Sequence, residues 1–334
     1  MPTIGVVMAT FNGEEWIEAQ LRSISSQTRL PERLVISDDG STDGTVEIAQ
    51  KFARNAPFEV ELLEGPRTGC YENFWLAAKH SDTDVIAWCD QDDAWFPQKL
   101  QLCERLMEDN NVPFVSHSAV VADATLAPTG QLYPNYTRTR VLEPLVGDWF
   151  WWAPGFTQFF RAELLQSVQW EDRPSIPNVL NGRFAHDEVI ALLAFATCQR
   201  LEIANTLAIY RQHGRNLSDG APKVRGPLQK VKVALSIEST AYSHQAWLAE
   251  LYGHFIAACD PSNSRAIDYF AVIEERCLRR SKIHQSPDRL SGARNLAVTL
   301  ARGDYGRRSH GGFGKLALSR DLVALALDAN RSPT

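Results

Sequence analysis

Over the first half of the chain, short apolar runs alternate with helically spaced apolar positions. Ile4–Ala9 is apolar and β-branched and predicts a buried first strand ending in the polar turn Thr10-Phe11-Asn12-Gly13. Trp16, Ile17, Leu21 and Ile24 then recur at a 3.6-residue spacing, behind Glu14 and Glu15, which suit a helix start. Arg33–Ser37 reads as a second strand, closed by Asp38-Asp39-Gly40-Ser41-Thr42-Asp43-Gly44. Val46, Ile48, Ala49 and Phe52 mark the next helix, Phe58–Leu63 a third strand and Asn73–Lys79 another helix.

Val85–Cys89 is the fourth apolar run. It breaks into Asp90, Gln91, Asp92 and Asp93, and Pro97 opens a helix with Leu100, Leu102 and Leu106 on one face. Strand and helix in alternation imply a mostly parallel sheet covered on both faces. Three polar strand ends then meet at one edge, Thr10–Asn12, Asp38–Asp39 and Asp90–Asp93, where open α/β sheets bind ligands. Carboxylates this close repel unless a cation or solvent relieves them, and hard oxygen donors favour Mg²⁺ or Mn²⁺. Taken alone, Asp90–Asp93 reads first as a solvated acidic turn that caps the following helix, and the other segments have to change that reading.

Further on, Phe114–Asp123 predicts one or two strands, Thr125–Pro144 a loop, and Arg161–Val168 a short helix. Gly147–Phe160 is rich in aromatics, read as core filling, with a sugar-stacking platform as the alternative. His186-Asp187-Glu188 precedes a helix over Val189–Thr197, and Thr206–Arg211 is a strand before the turn Gln212–Asn216. From Pro227 to Asn330 the pattern becomes helical throughout: Val231, Leu235 and Ile237; Trp247, Leu248, Leu251 and Phe255; Ile267, Phe270 and Ile273. Lys223, Arg225, Lys230, Lys232, Arg276, Arg279, Arg280, Lys282, Arg302, Arg307 and Arg308 recur there and read as a solvated face. An anionic-lipid surface is the alternative. The expected division is a catalytic domain over 1–222 and a helical extension over 223–334.

Composition narrows the classes. The chain has 334 residues, 44% hydrophobic and 22% charged, as a soluble globular protein does. A net charge of −6 argues against nucleic acid as a partner. Six scattered cysteines without a Cys-x-x-Cys pair suit free thiols in a reducing cytoplasm. Neither a signal peptide nor a membrane-length apolar run is apparent. A Gly-x-Gly-x-x-Gly after the first strand and a Gly-Lys-Ser/Thr are both lacking, which argues against dinucleotide and P-loop enzymes.

Six segments in order resemble the family 2 glycosyltransferases, of GT-A fold. They are Val-Val-Met-Ala-Thr-Phe-Asn-Gly (6–13), Ser-Ile-Ser-Ser-Gln-Thr (23–28), Ser-Asp-Asp-Gly-Ser-Thr-Asp-Gly-Thr (37–45), Asp-Gln-Asp-Asp-Ala-Trp (90–95), His-Asp-Glu (186–188) and Tyr-Arg-Gln-His-Gly-Arg-Asn (210–216). The last two resemble the bacterial rhamnosyltransferase-like branch, which builds surface polysaccharides. The resemblance implies a mostly parallel GT-A sheet flanked by helices, with a C-terminal helical appendage. It also implies a cytoplasmic enzyme, peripheral at the inner membrane face if the basic tail rests on lipid.

The same resemblance assigns roles. Thr10, Phe11 and Asn12 would line the base pocket of a nucleotide-sugar donor. Asp39 would accept the pyrimidine N3–H, with Asp38 beside it. Asn73, Asp90 and Gln91 would complete the donor contacts, Asp90 at the ribose or a metal-bound water. Asp92 would bind Mg²⁺ or Mn²⁺, with Asp93 nearby and His213 completing the shell. Asp187 would be the general base of an inverting transfer to a saccharide or lipid-linked oligosaccharide. Glu72 stands where many members carry a basic residue, so one contact to base or diphosphate is missing or replaced. Rival expectations are a non-catalytic carbohydrate-binding subunit and a metal-dependent sugar nucleotidyltransferase. Oligomeric state is open.

Overall fold

A computed structural model describes the chain except for residues 150–152, 169, 174–182, 217–238, 308–311 and 328–334. It divides into two compact units, Met1–Pro144 with Trp152–Pro222, and Leu145–Trp151 with Lys223–Thr334.

The first unit is built on one sheet. Its strands are β1 (Ile4–Thr10), β2 (Arg33–Asp38), β3 (Glu59–Glu64), β4 (Val85–Asp90), β5 (Ala94–Trp95), β6 (Phe114–Ala122), β7 (Pro128–Leu132), β8 (Arg140–Leu142), β9 (Gln158–Arg161) and β10 (Arg200–Arg211). The main order is β3-β2-β1-β4-β9-β6-β10-β5. β1 pairs in parallel with both β2 and β4, and β6 with β10. β9 runs antiparallel between β4 and β6. The helices are α1 (Ile17–Ser25), α2 (Thr45–Ala53), α3 (Cys70–Lys79), α4 (Lys99–Asn110), α5 (Glu163–Gln166) and α6 (His186–Thr197).

The chain leaves β1 toward β2 on one side and comes back to β4 on the other. That reversal opens the crevice where such sheets bind ligands. Register aligns the strand ends there: Thr10 lies opposite Asp38, and Ala9 opposite Asp90. The runs that formed these strands are fully buried, with Ile4, Val6, Met8, Leu34, Ile36, Val85, Ala87 and Cys89 in one core with Leu21, Ile24, Leu100 and Phe159. An apolar, β-branched run buried on both faces is what a central parallel strand requires.

Several expectations change. Thr125–Pro144, expected as loop, contains β7 and β8, which add to β6 and β10 as short antiparallel strands. Their sequences, Pro-Thr-Gly-Gln-Leu and Arg-Val-Leu, are largely exposed and carry no apolar alternation, so a neighbour's free backbone groups define them. β10 starts at Arg200 rather than Thr206, and register shifts around Thr206 interrupt its pairing with β6. α6 begins at His186, so Asp187 and Glu188 lie in its first turn rather than ahead of it.

The second unit is helical: α7 (Ser239–Cys259), α8 (Ser264–His284), α9 (Arg289–Ala301) and α10 (Lys315–Leu327). Asn263 and Asp288 cap α8 and α9 through their side chains. Ala246, Ala249, Ile273 and Cys277 form a small core joined by Trp149, Tyr269 and Phe313. Part of the expected basic face is inside. Arg280 donates to Asp321 at 2.8 and 3.0 Å, and Asp321 also takes His284 and Tyr305. Arg279 grips Asp304 at 2.8 and 3.1 Å, with Arg276 beside it. Buried guanidinium–carboxylate pairs hold helices in one arrangement, so these cations fasten the unit instead of facing solvent. Lys282, Arg302 and Arg307 are exposed. Lys223, Arg225, Lys230, Lys232, Arg308 and the Val231–Ile237 pattern lie outside the described residues. Among the described residues, no helix is long and apolar enough to cross a membrane. All six cysteines are free.

Candidate active site

The edge formed by β1, β2 and β4 is a hydrogen-bonded cradle. Asp38 takes the N–H groups of Gly40 (3.1 Å) and Ser41 (2.7 Å) on one oxygen, and the hydroxyls of Thr10 (2.8 Å) and Ser41 (2.6 Å) on the other. It therefore shapes the loop rather than presenting a free carboxylate. Asn12, at φ 46°, accepts the Thr42 N–H at 2.9 Å and donates its own N–H to the Ser41 hydroxyl at 2.8 Å. Gln91 pairs its amide with both backbone groups of Phe11, at 3.0 and 3.1 Å, and so joins the β1 and β4 loops. The Phe11 ring is 54% exposed, the open wall of the edge.

Asp39 differs from Asp38. Its Oδ2 accepts the Gly69 N–H at 2.9 Å, while its Oδ1 is buried without a partner. Gly69, at φ 111°, begins α3 in a conformation that side-chain-bearing residues avoid. An orphaned buried acceptor is costly unless something donates to it. Asn73 is 1% exposed and spent internally: Nδ2 donates to the Ser37 carbonyl (2.7 Å) and Oδ1 accepts the Ser37 hydroxyl (2.5 Å). It braces the end of β2 through these bonds.

At the end of β4, Asp92 Oδ2 meets His213 Nε2 at 2.9 Å, and Asn216 Nδ2 approaches the same oxygen at 3.4 Å. His213 lies 121 residues further along the chain and stacks on Trp16, with ring centroids 3.8 Å apart. Arg215 covers the other part of Trp16 and pairs with Glu15. Asp93 is 0% exposed. Its Oδ1 accepts the Arg211 N–H at 3.0 Å and its Oδ2 has no partner. Burial, with Asp92 and Asp90 beside it, pushes its pKa well up. Asp93 thus holds β10 through Oδ1. Burial raises Asp90 to about 8, aided by Asp92 and then Asp187.

Asp187, in the first turn of α6, accepts the Gly155 N–H at 2.9 Å on Oδ2 and its neighbour's N–H at 3.0 Å on Oδ1. Gln158 donates to the Asp187 carbonyl at 2.9 Å. Gly155 sits tightly here: a Cβ would lie 3.2 Å from the Cβ of Asp187 and from His186 Nε2, so those side chains would have to give by a few tenths of an ångström. His186 is buried against Phe74, at 3.9 Å between rings, and burial lowers it to about 4, so it is neutral. Glu188 accepts the Ala185 N–H, and burial followed by the Asp187 charge raises it to about 7. One thiol registers the convergence. Burial raises Cys70 well above its usual range, and Asp90, Asp187, Asp92 and Asp39 each add to that. Their charges, from the loops after β2 and β4 and from α6, all reach the start of α3.

Glu72 pairs with Arg173 and with the Trp170 indole N–H, and the Arg173 guanidinium lies 3.2 Å over the Trp170 ring. Arg173, from a later segment, thus neutralises the Glu72 carboxylate. Pro66, Thr68, Trp75, Lys79 and Glu72 line a cavity of about 420 Å³ on this side of α3. Trp16, Cys70, Gly155 and Gln158 had no signal in the sequence, because each matters only through a residue distant in the chain.

The sheet has the GT-A arrangement, and it carries an acidic, amide-lined cradle at its switch point. Residues 5–166, just under half of the chain, match the model of "Glycosyl transferase family 2". The chain is 36% identical over 118 residues to dTDP-rhamnosyl transferase RfbG of Shigella flexneri, a match spanning 34% of this chain and 41% of that protein. It is 24% identical over 241 residues to the uncharacterized glycosyltransferase alr2836 of Nostoc sp., covering 71% of this chain and 73% of the other. Among solved structures, TarS 1-349 of S. aureus in complex with UDP superimposes with a TM-score of 0.54 at 15% identity, covering 99% of this chain and 94% of that one. That likeness concerns the fold.

Proposed function

We propose that the chain is an inverting, metal-assisted glycosyltransferase of bacterial surface-polysaccharide synthesis. Its donor is dTDP-rhamnose or a UDP-sugar and its acceptor a saccharide or lipid-linked oligosaccharide. The observation that carries this reading is the Asp187 carboxylate, fixed by the Gly155 N–H at 2.9 Å in a unit whose sheet edge holds Asp39, Asp90 and the Asp92–His213 pair. A binding module has no use for a fixed base beside an acidic cradle. The donor choice is supported by the name of RfbG and by complexes of TarS with UDP and with UDP-GlcNAc.

Asp39 Oδ1 takes the base N3–H, and Thr10, Phe11 and Asn12 form the pocket wall. Asp90 lies toward the ribose. Asp92 and His213 offer one carboxylate oxygen and one imidazole nitrogen, donors that suit Mg²⁺ or Mn²⁺. Among the described residues no three acidic, His or Cys side chains form a closed cage. An open set fits an ion that shares its shell with a diphosphate. When bound, such an ion supplies positive charge where the leaving diphosphate becomes negative. Asp187 removes the acceptor hydroxyl proton as the bond to the anomeric carbon forms, from the face opposite the leaving group, and so inverts that carbon. Such a base contributes about 10²–10⁴-fold.

Residues 1–222 would carry this chemistry, with 223–334 as an extension. Exposed Leu290, Val298 and Leu300 beside Arg294 and Arg302 on or next to α9 support a peripheral membrane contact. The test is release of nucleoside diphosphate from a panel of sugar nucleotides. We expect Asp187→Asn to lose transfer while still binding donor; near-normal turnover in that variant would refute the base assignment. Release of pyrophosphate instead would identify a nucleotidyltransferase.

A further inference from the structure

We propose that Lys99 is a positioning residue, which locks the turn Gly155–Thr157 to the loop 90–93 and so aims the Asp187 carboxylate. Lys99 is 0% exposed at the start of α4, six residues beyond Asp93. A lysine ammonium is rarely buried without partners, because losing water is costly. Its Nζ donates to the Phe156 carbonyl at 2.7 Å and lies 3.6 Å from the centre of the Trp95 ring. Phe156 directly follows Gly155, whose N–H holds Asp187 Oδ2 at 2.9 Å. The Phe156 ring stacks on Tyr210 of β10, with centroids 4.8 Å apart, three residues before His213. Gln158 fixes the far end of the same turn, donating to the Ala153 carbonyl at 2.6 Å and the Asp187 carbonyl at 2.9 Å.

The turn is thus gripped by Lys99 on one side and grips Asp187 on the other. Trp95 and α4 continue directly from the loop 90–93, so Lys99 links the diphosphate end of the site to the base. Burial lowers its pKa to about 8, offset in part by Cys103 and Cys89 and then by Asp93 and Asp90. A methionine of similar length would fill the space but leave the Phe156 carbonyl without a donor and the turn free to shift. Displacement of a catalytic group by about 1 Å is worth on the order of 10²-fold in rate.

This inference rests on Asp187 as the base, so Asp187→Asn is measured beside Lys99→Met, Lys99→Arg and Gly155→Ala. For Lys99→Met we expect kcat to fall on the order of 10–100-fold while donor KM stays within about threefold. Lys99→Arg keeps a cationic donor and should recover most of the loss. Gly155→Ala, which pushes on Asp187 from the other side, should show the same split and serves where Lys99→Met does not fold. Turnover by Asp187→Asn defeats the base assignment whatever Lys99 does. An inactive Asp187→Asn beside a Lys99→Met or Gly155→Ala of full kcat overturns the positioning role. Equal losses in kcat and donor affinity without rescue by arginine also overturn it.

Discussion

Asp39→Asn tests how the cradle reads a base. In the native protein Oδ2 is committed to the Gly69 N–H at 2.9 Å, and Oδ1 is buried without a partner. A pyrimidine N3–H would satisfy it with a charge-assisted hydrogen bond. In the asparagine variant one terminal atom becomes an NH₂ group. Turned toward Gly69, it sets donor against donor at the start of α3; turned outward, it opposes the N3–H. Either way one bond to a charged acceptor is lost, worth about 1.5–3 kcal/mol. That corresponds to a rise of about 10- to 150-fold in Kd. The outward amide also donates, and the N3 of cytosine accepts, so CDP should lose less affinity than UDP or dTDP. Titration calorimetry with the three nucleotides at fixed salt and Mn²⁺ measures this directly. Binding of UDP and dTDP within about twofold of native, in a variant of unchanged Tm, would refute the argument.

Two further outcomes concern charge. Asp92→Ala removes the oxygen that His213 contacts at 2.9 Å, so donor affinity should stop responding to Mn²⁺; a native-sized Mn²⁺ enhancement in calorimetry would count against the metal role. Glu188 titrates near 7 in the folded protein against an ordinary value of 4.5, so the folded state keeps a proton that the unfolded chain releases. That contribution is complete below about pH 4.5 and is lost as pH rises toward 7, by about 3 kcal/mol at most. Glu188→Gln keeps the cap on Ala185 and should flatten the fall in Tm between pH 5 and 7, which thermal melts across that range would show or exclude.

The sequence alone determined the first four strands, their intervening helices and the order of their polar ends. Apolar runs such as Ile4–Ala9 and Val85–Cys89 are local signals, and burial on both faces is written into each residue. The short strands β7 and β8 were not legible, because their own side chains do not specify them; the exposed backbone of β6 and β10 does. Asp38 and Asp39 look alike in the chain. Only the packing around them makes Asp38 a brace of its own loop, through Gly40, Ser41 and Thr10, and leaves Asp39, held by Gly69, with an open oxygen. That Asn73 and Asp93 lie in the interior was not legible either, because side-chain direction depends on packing beyond sequence spacing. His213 reaches Asp92, and Gly155 reaches Asp187, across long stretches of chain. Such contacts belong to the tertiary structure, since a side chain's hydrogen-bond partner is set by which elements the core brings together.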